Sequence, residues 1–470
     1  MRRLDAAFIF GKGNRFEQFW GLRDPKRRQA AALQNGLSVA KPLLVTTESQ
    51  LTSEQRIERI RQSIPRGGLF LDQEWQIAPN PFALTPEIRK ELESLGRVLL
   101  QFYRALNLLY QHSAAGKQPQ WVADWLDRGK PAELITPQRS QLFKNELPRV
   151  IRPDVILTDD GLKIVELDSV PGGIGLTAWL NQTYTGLGSQ VMGGADGMLK
   201  GFAGIFADSP RVHIVVSEES KTYRPEMEWL AQQLGSDRFA VRDANFKDFA
   251  DGDAVYRFFE LFDLPNVPKG ELIMQQARDG RIRLTPPPKP ALEEKMMFAL
   301  LWNHNLQGFW RQHLGEAFLR RMLDLVPYSW LIDPTPLPPQ GAIPRLEITD
   351  WQQLKSLSQR ERELILKVSG FSPEGWGARG VFLGSDLSHA EWSAAVDKAL
   401  ASASRSPYVL QRFHKPKLVD EGRVRLCPYY FVHGRIDSAR ANLGGVLATI
   451  CPPDKKIIHG MKDAILAPCA

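Results

Sequence analysis

One stretch constrains this chain more than any other. Residues 364–368 read Leu-Ile-Leu-Lys-Val, residues 369–380 form a loop holding Gly375, Gly377 and Gly380, and residues 381–384 read Val-Phe-Leu-Gly. The three glycines match GxGxxG, but a dinucleotide-binding fingerprint requires a helix directly after the loop. Here a second β run follows, and the next helix starts at Ser388, which forms a capping box with Glu391. The unit is therefore strand, glycine flap, strand. Without Cβ atoms, such a flap lets backbone N–H groups approach phosphates closely. Lys367 lies within the first strand, where an ammonium is costly unless it meets an anion. A glycine-rich surface hairpin with an edge lysine is the structural alternative. No GxxxxGK[ST] loop and no kinase HRD or DFG sequence occurs.

A second constellation lies at residues 164–173, Ile-Val-Glu-Leu-Asp-Ser-Val-Pro-Gly-Gly. Side chains two apart on a strand share a face, so Glu166 and Asp168 point one way, and Val165 and Leu167 face the core. Adjacent carboxylates repel, and a divalent cation resolves the repulsion. A solvated strand face accounts for the same pattern. Residues 154–158 and 162–167 read as a hairpin around Asp159-Asp-Gly161, with Arg152 opening the paired strand. Arg257 is embedded in the apolar run 255–259, where it suits a carboxylate or phosphate contact or a structural ion pair.

The rest of the chain organises around these stretches. Residues 1–149 read as mostly helical. Thr85 and Pro86 open a long helix to about residue 112, with Ile88, Leu92, Leu95, Leu99, Phe102, Leu106 and Leu109 on one face. Trp121 and Trp125 are expected to pack on it. Residues 150–210 carry the acidic hairpin. Residues 211–285 alternate strand, helix, strand, strand, which implies a small open α/β subdomain. Residues 286–344 are helical between two proline-rich connectors, with Trp302 and Trp310 as core, and residues 345–470 alternate strands and helices.

Composition narrows the function classes. At 470 residues the chain is long enough for two to four domains and a core needing no disulfides. Three cysteines without a CxxC pair point to a reducing, cytoplasmic setting. The apolar run at residues 6–10 is too short for a signal peptide, and none approaches the ~20 residues of a membrane span. The net charge is +7, but no basic cluster interleaved with aromatics marks a nucleic-acid binder.

Taken together, these motifs resemble the circularly permuted ATP-grasp proteins, the glutathionylspermidine synthase-like enzymes, and more distantly eukaryotic glutathione synthetase. Arg152-Pro-Asp154 with Glu166-Leu-Asp168 is similar to the family's R-x-D hairpin and E-x-N metal strand, with aspartate replacing asparagine. Residues 255–257 resemble the segment supplying a substrate-contacting arginine. Glu294-Lys295 and Leu366-Lys367 with the flap resemble the two phosphate lysines and the lid. Residues 408–413 resemble the hinge strand that bonds adenine through its backbone, and Arg425 and Arg440-Ala-Asn442 fall in the terminal strands.

The resemblance covers about residues 150–445 and implies an ATP-grasp fold in an α/β chain. It further implies ATP-dependent joining of a carboxylate to an amine through an acylphosphate, on amino acids, peptides or polyamines. Under it, Lys295, Lys367, Gly375, Gly377, Gly380, Gln411 and Phe413 bind ATP. Glu166, Asp168 and Glu374 hold Mg2+, and Arg152, Arg257 and Arg440 act in catalysis. His304, His414 and His433 need no catalytic role. The alternative is a degenerate ATP-grasp domain that binds nucleotide or acts as a scaffold.

Overall fold

In the computed structural model, residues 51–470 are described except 72–73, 339–340, 370, 421, 436–437 and 459–462. The readings of residues 1–50, and of Gly370 in the flap, lie outside the described residues. So do the surroundings of Gly377, although its backbone belongs to a 3-10 turn over Pro373–Ala378.

Among residues 51–149 the elements are mostly helices, and the longest falls where the periodicity predicts it. Helix α1 (Ser53–Ser63) starts at a Thr52 capping box and is followed by the short strand β1 (Gln76–Ile77). Helix α2 (Pro86–Ala114) is capped by Thr85, whose side chain accepts the Ile88 N–H at 3.3 Å. Leu92, Leu95, Leu99, Phe102, Leu106 and Leu109 are all buried. Helices α3 (Trp121–Asp127) and α4 (Ala132–Arg139) follow, and Trp125 packs into the same core.

The hairpin is β2 (Val150–Thr158) and β3 (Gly161–Asp168), and after it come α5 (Ile174–Gly186) and α6 (Gly197–Ile205). The β-α-β stretch comprises β4 (Val212–Val216), α7 (Arg224–Leu234), β5 (Phe239–Arg242), β6 (Ala254–Phe258), α8 (Gly270–Arg278) and β7 (Arg283–Thr285). Its strands pair in parallel in the order β5-β4-β6-β7.

The stretch read as helical between the two proline-rich connectors resolves into α9 (Met296–Trp302), α10 (Gln307–Leu314) and α11 (Glu316–Leu325). The breaks fall where a side chain and a glycine favour them. Asn303 accepts the Asn305 N–H, and Gly315 adopts φ +75. The proline run before α9 is buried rather than an exposed spacer.

The remaining elements are β8 (Ser329–Leu331), β9 (Leu364–Val368), β10 (Val381–Leu383), α12 (His389–Ser402), β11 (Tyr408–Arg412), β12 (Leu418–Val419), β13 (Gly422–His433), β14 (Arg440–Cys451) and β15 (Ile465–Pro468). Strands β10-β9-β11-β8 form an antiparallel sheet. The largest sheet runs β1-β15-β14-β13-β2-β3, with β12 on β13, and is antiparallel except for β1 beside β15. The early hairpin thus joins strands nearly 300 residues later in the chain. Both faces of β13 are buried, as its near-continuous apolar run requires.

Alternation along the strands decides what each face meets. Val155, Leu426, Tyr430, Val432, Val446 and Ala448 face α2, α3, α9 and α10. On the other face, Tyr429, Phe431 and Leu447 pack on α5 and α6 in a core shared with the parallel sheet. In β9, Leu364, Leu366 and Val368 pack with Trp392, Val396 and Ala399 of α12, leaving Ile365 and Lys367 on the opposite side. The unoccupied part of the large sheet's second face and this side of β9 and β11 bound a cleft. No helix of the described residues is long and apolar enough to cross a membrane.

Candidate active site

The cleft is about 390 Å³, within the range of small-molecule sites. Lys367 enters it from the centre of β9, paired with Val409 on one side and Val381 on the other. It is 8% exposed, and its ammonium donates to the Val165 carbonyl at 2.8 Å and to Gln411 Oε1 at 2.9 Å. Gln411 is itself oriented by a bond from its Nε2 to Ser329 Oγ at 3.1 Å. Burial pulls the Lys367 pKa down to about 8, against the attraction of Glu166. Lys295 arrives from another layer, just before α9, and its Nζ lies 2.9 Å from Glu166 Oε1. Burial lowers its pKa, but Glu166 outweighs that and holds the pKa above its ordinary value.

The hairpin supplies the acids. Arg152 pairs across strands with Asp168, and Asp154 with Glu166. The register then shifts between Asp154 and Val155, which pairs with Ile164, so Val165 is an extra residue in β3. The bulge changes the expected facing. Glu166 and Asp168 both line the cleft, as the alternation predicts, and Leu167 packs on the helix-side core. Val165 does not join Leu167. It packs against Ile156, Cys451, Ile458 and Ala464 and turns its carbonyl to Lys367.

Each carboxylate meets a cation. Arg152 Nη2 lies 2.9 Å from Asp168 Oδ2, and Arg425 Nη1 lies 2.7 Å from Asp154 Oδ2. Burial opposes ionisation of Asp154, but Arg425 and Arg152 together hold its pKa below the usual value. Glu166 is also held low, with Lys295 and Lys367 overcoming burial. Asp168 is raised, because burial outweighs Arg152. The buried Nε of Arg425 makes no hydrogen bond among the described residues, and that of Arg152 lies 3.4 Å from Asp154 Oδ1.

Other expected residues fall at varied distances from this centre. Gly375, Gln411 and Phe413 line the cleft. Gly380 instead packs closely under the flap, where a Cβ would lie 2.3 Å from Val368 Cγ1. Arg257 is fully buried, does not line the cleft, and pairs with Glu293, which does. Arg440 is an exposed residue opening β14 opposite His433. Glu374 turns to Lys398 at 2.6 Å and to the Tyr408 hydroxyl at 3.4 Å, outside the cleft lining. The backbone N–H groups of Arg412 and Phe413 donate to Tyr328 O and Glu363 O.

The structure adds Glu260, Glu293, Tyr223, Tyr429 and Thr449 to the lining, none singled out by sequence. Glu260 is pushed well above the carboxylate range by burial and by Glu293 and Asp168. An arginine inside an apolar strand, the signal that marked Arg257, also marks Arg425. Glu260 and Glu293 carry no local signal. Among the described residues, no three His, Cys, Asp or Glu side chains gather as a metal-binding set. Glu166 and Asp168 still fit the modest demand of Mg2+, which takes one or two carboxylates and completes its shell with phosphate oxygens and water.

No protein-family model matches the sequence, and no curated protein matches it. Solved structures do. A glutathione synthetase-like effector from Globodera pallida, in its apo form, is 11% identical with a TM-score of 0.53, covering 89% of this chain and 98% of that one. A provisionally named gamma-glutamylcysteine synthetase from Methylobacillus flagellatus is also 11% identical. It covers 78% of this chain and 87% of that one, at a TM-score of 0.39. The first shows a shared fold, mixed α/β with several sheets.

Proposed function

We propose that this protein is an ATP-dependent carboxylate–amine ligase with a circularly permuted ATP-grasp fold. The observation that carries the reading is the convergence of Lys295 and Lys367, from separate layers, on Glu166 in a cleft between two sheets. The division at residues 150, 211, 286 and 345, and a cytoplasmic location, belong to the same proposal. The fold shared with the glutathione synthetase-like neighbour supports it and favours amino acids or peptides as substrates.

In this reading the lysines exchange Glu166, Gln411 and a carbonyl for the phosphates of ATP. Glu166 and Asp168 would hold Mg2+, which screens phosphate charge when bound. Because the N–H groups of Arg412 and Phe413 are used within the sheet, adenine would meet the stretch 413–416 instead. Arg152 and Arg425 hold the substrate carboxylate beside the γ-phosphate. The carboxylate oxygen attacks phosphorus and ADP leaves. The amine then attacks the acyl carbon, phosphate leaves with the C–O bond electrons, and the nitrogen loses a proton. The flap excludes water that would hydrolyse the acylphosphate.

The test is ADP release from ATP and Mg2+ across a panel of amino acids, peptides and polyamines. No release and no ATP-dependent thermal shift sinks the proposal. The turn of Glu374 towards Lys398 favours a second reading, a nucleotide-binding domain without turnover, which ATP binding with no ADP release would select.

A further inference from the structure

One wall of the cleft is the turn at residues 170–173, and it is held from behind by a side chain that does not reach the cleft. Glu226, on α7, is fully buried. Its carboxylate accepts the Gly173 N–H at 2.7 Å and the Leu176 N–H at 2.9 Å. These amides open α5, where no helical carbonyl is available to them. A carboxylate there also meets the positive end of the helix dipole. The contact is tight at the backbone, since a Cβ on Gly175 would lie 2.2 Å from the Glu226 carbonyl.

The other side of the turn faces the cleft. The Gly172 carbonyl accepts from Arg152 Nη1 at 3.3 Å and from the Tyr429 hydroxyl at 2.7 Å. The same guanidinium holds Asp168 at 2.9 Å. A continuous path of bonds thus runs from α7, in the layer of the parallel sheet, to the arginine at the anion end of the cleft. Lys295 and Lys367 lie on other elements and are not part of it.

We infer that Glu226 is a positioning residue: by fixing the Gly173 amide it sets the Gly172 carbonyl, which aims Arg152 at the substrate carboxylate. The inference rests on the ligase reading for the identity of that carboxylate, but not for the geometry. Glutamine at this position would keep the shape and place an amide donor against a backbone donor. Alanine would leave a space that formate fits.

Two measurements test it. In a crystal structure of Glu226→Gln, the Gly172 carbonyl is expected to rotate and Arg152 to leave it. An unchanged bond from Arg152 to Gly172 overturns the proposal whatever the activity. In steady-state ADP release, with the substrate pair selected by the screen, the variant is expected to raise KM for the carboxylate about tenfold, the size of one charge-assisted hydrogen bond. KM for ATP should be unchanged, and sodium formate, but not sodium chloride, should restore Glu226→Ala. A lowered melting temperature with both KM values unchanged makes Glu226 merely structural and sinks the inference. No ADP release by the wild-type protein removes the ligase reading alone, and the crystallographic result still decides the role of Glu226.

Discussion

Lys367 concentrates the residue-scale argument. Its place inside an apolar strand marks it in the sequence, and the structure shows why it is tolerated, because two acceptors meet its ammonium. Lys367→Ala is expected to lower ADP release by about 10²–10³ with the circular dichroism spectrum unchanged, as for other lost transition-state charges. Its pKa near 8 sets a pH dependence. The ammonium is charged below that value and neutral above it, and phosphates favour the charged form. ATP affinity should therefore fall as pH rises past about 8, and binding there should take up protons, measurable by calorimetry in buffers of different ionisation enthalpy. Arg425 is legible by the same signal. Removing it leaves buried Asp154 with Arg152 alone, so Arg425→Met should cost about 3 kcal/mol in urea unfolding. Glu260 and Glu293 were not legible, because nothing near them in sequence distinguishes a cleft carboxylate from a surface one.

At the scale of elements, caps and periodicity were legible and a bulge was not. Thr85, Pro86 and the 3–4 spacing define α2 almost to its last turn. Thr85→Ala should lower stability by about 1 kcal/mol through the lost cap. Leu99→Ala, at a fully buried position, should cost about 3 kcal/mol through transfer and cavity terms. Urea midpoints compare the two directly. The extra residue at Val165 is different. Strict alternation would put Ile164 on the face of Glu166, yet Ile164 packs with Leu167 in the helix-side core. A bulge needs no glycine or proline, so only the pairing of β3 with β2 reveals it.

At the scale of the molecule, the large sheet unites the early hairpin with the C-terminal strands and divides two cores. Helix α2 docks on it through Gly96, where a Cβ would lie 2.5 Å from Tyr430 Cδ1. Gly96→Ala therefore tests that docking. It should destabilise by about 1–3 kcal/mol through overpacking, read by urea unfolding, despite alanine's better helix propensity. Charge also changes meaning at this scale. The cleft cations are matched by carboxylates, so they do not explain the excess of +7. Nine basic and four acidic residues in the first fifty positions account for most of it. Helix α2, the acidic hairpin, the alternation of strand and helix at 211–285 and the lysine-bearing strand with its returning partner were all legible in the sequence, because each is written in side-chain periods and turn residues a few positions apart. Which charges meet was settled by the packing of the chain. It brought Lys295 to Glu166 and Arg425 to Asp154, paired Arg257 with Glu293, and turned Glu374 away to Lys398. Those pairings join positions up to 271 residues apart, and they follow from sheet order and register, which no local pattern encodes.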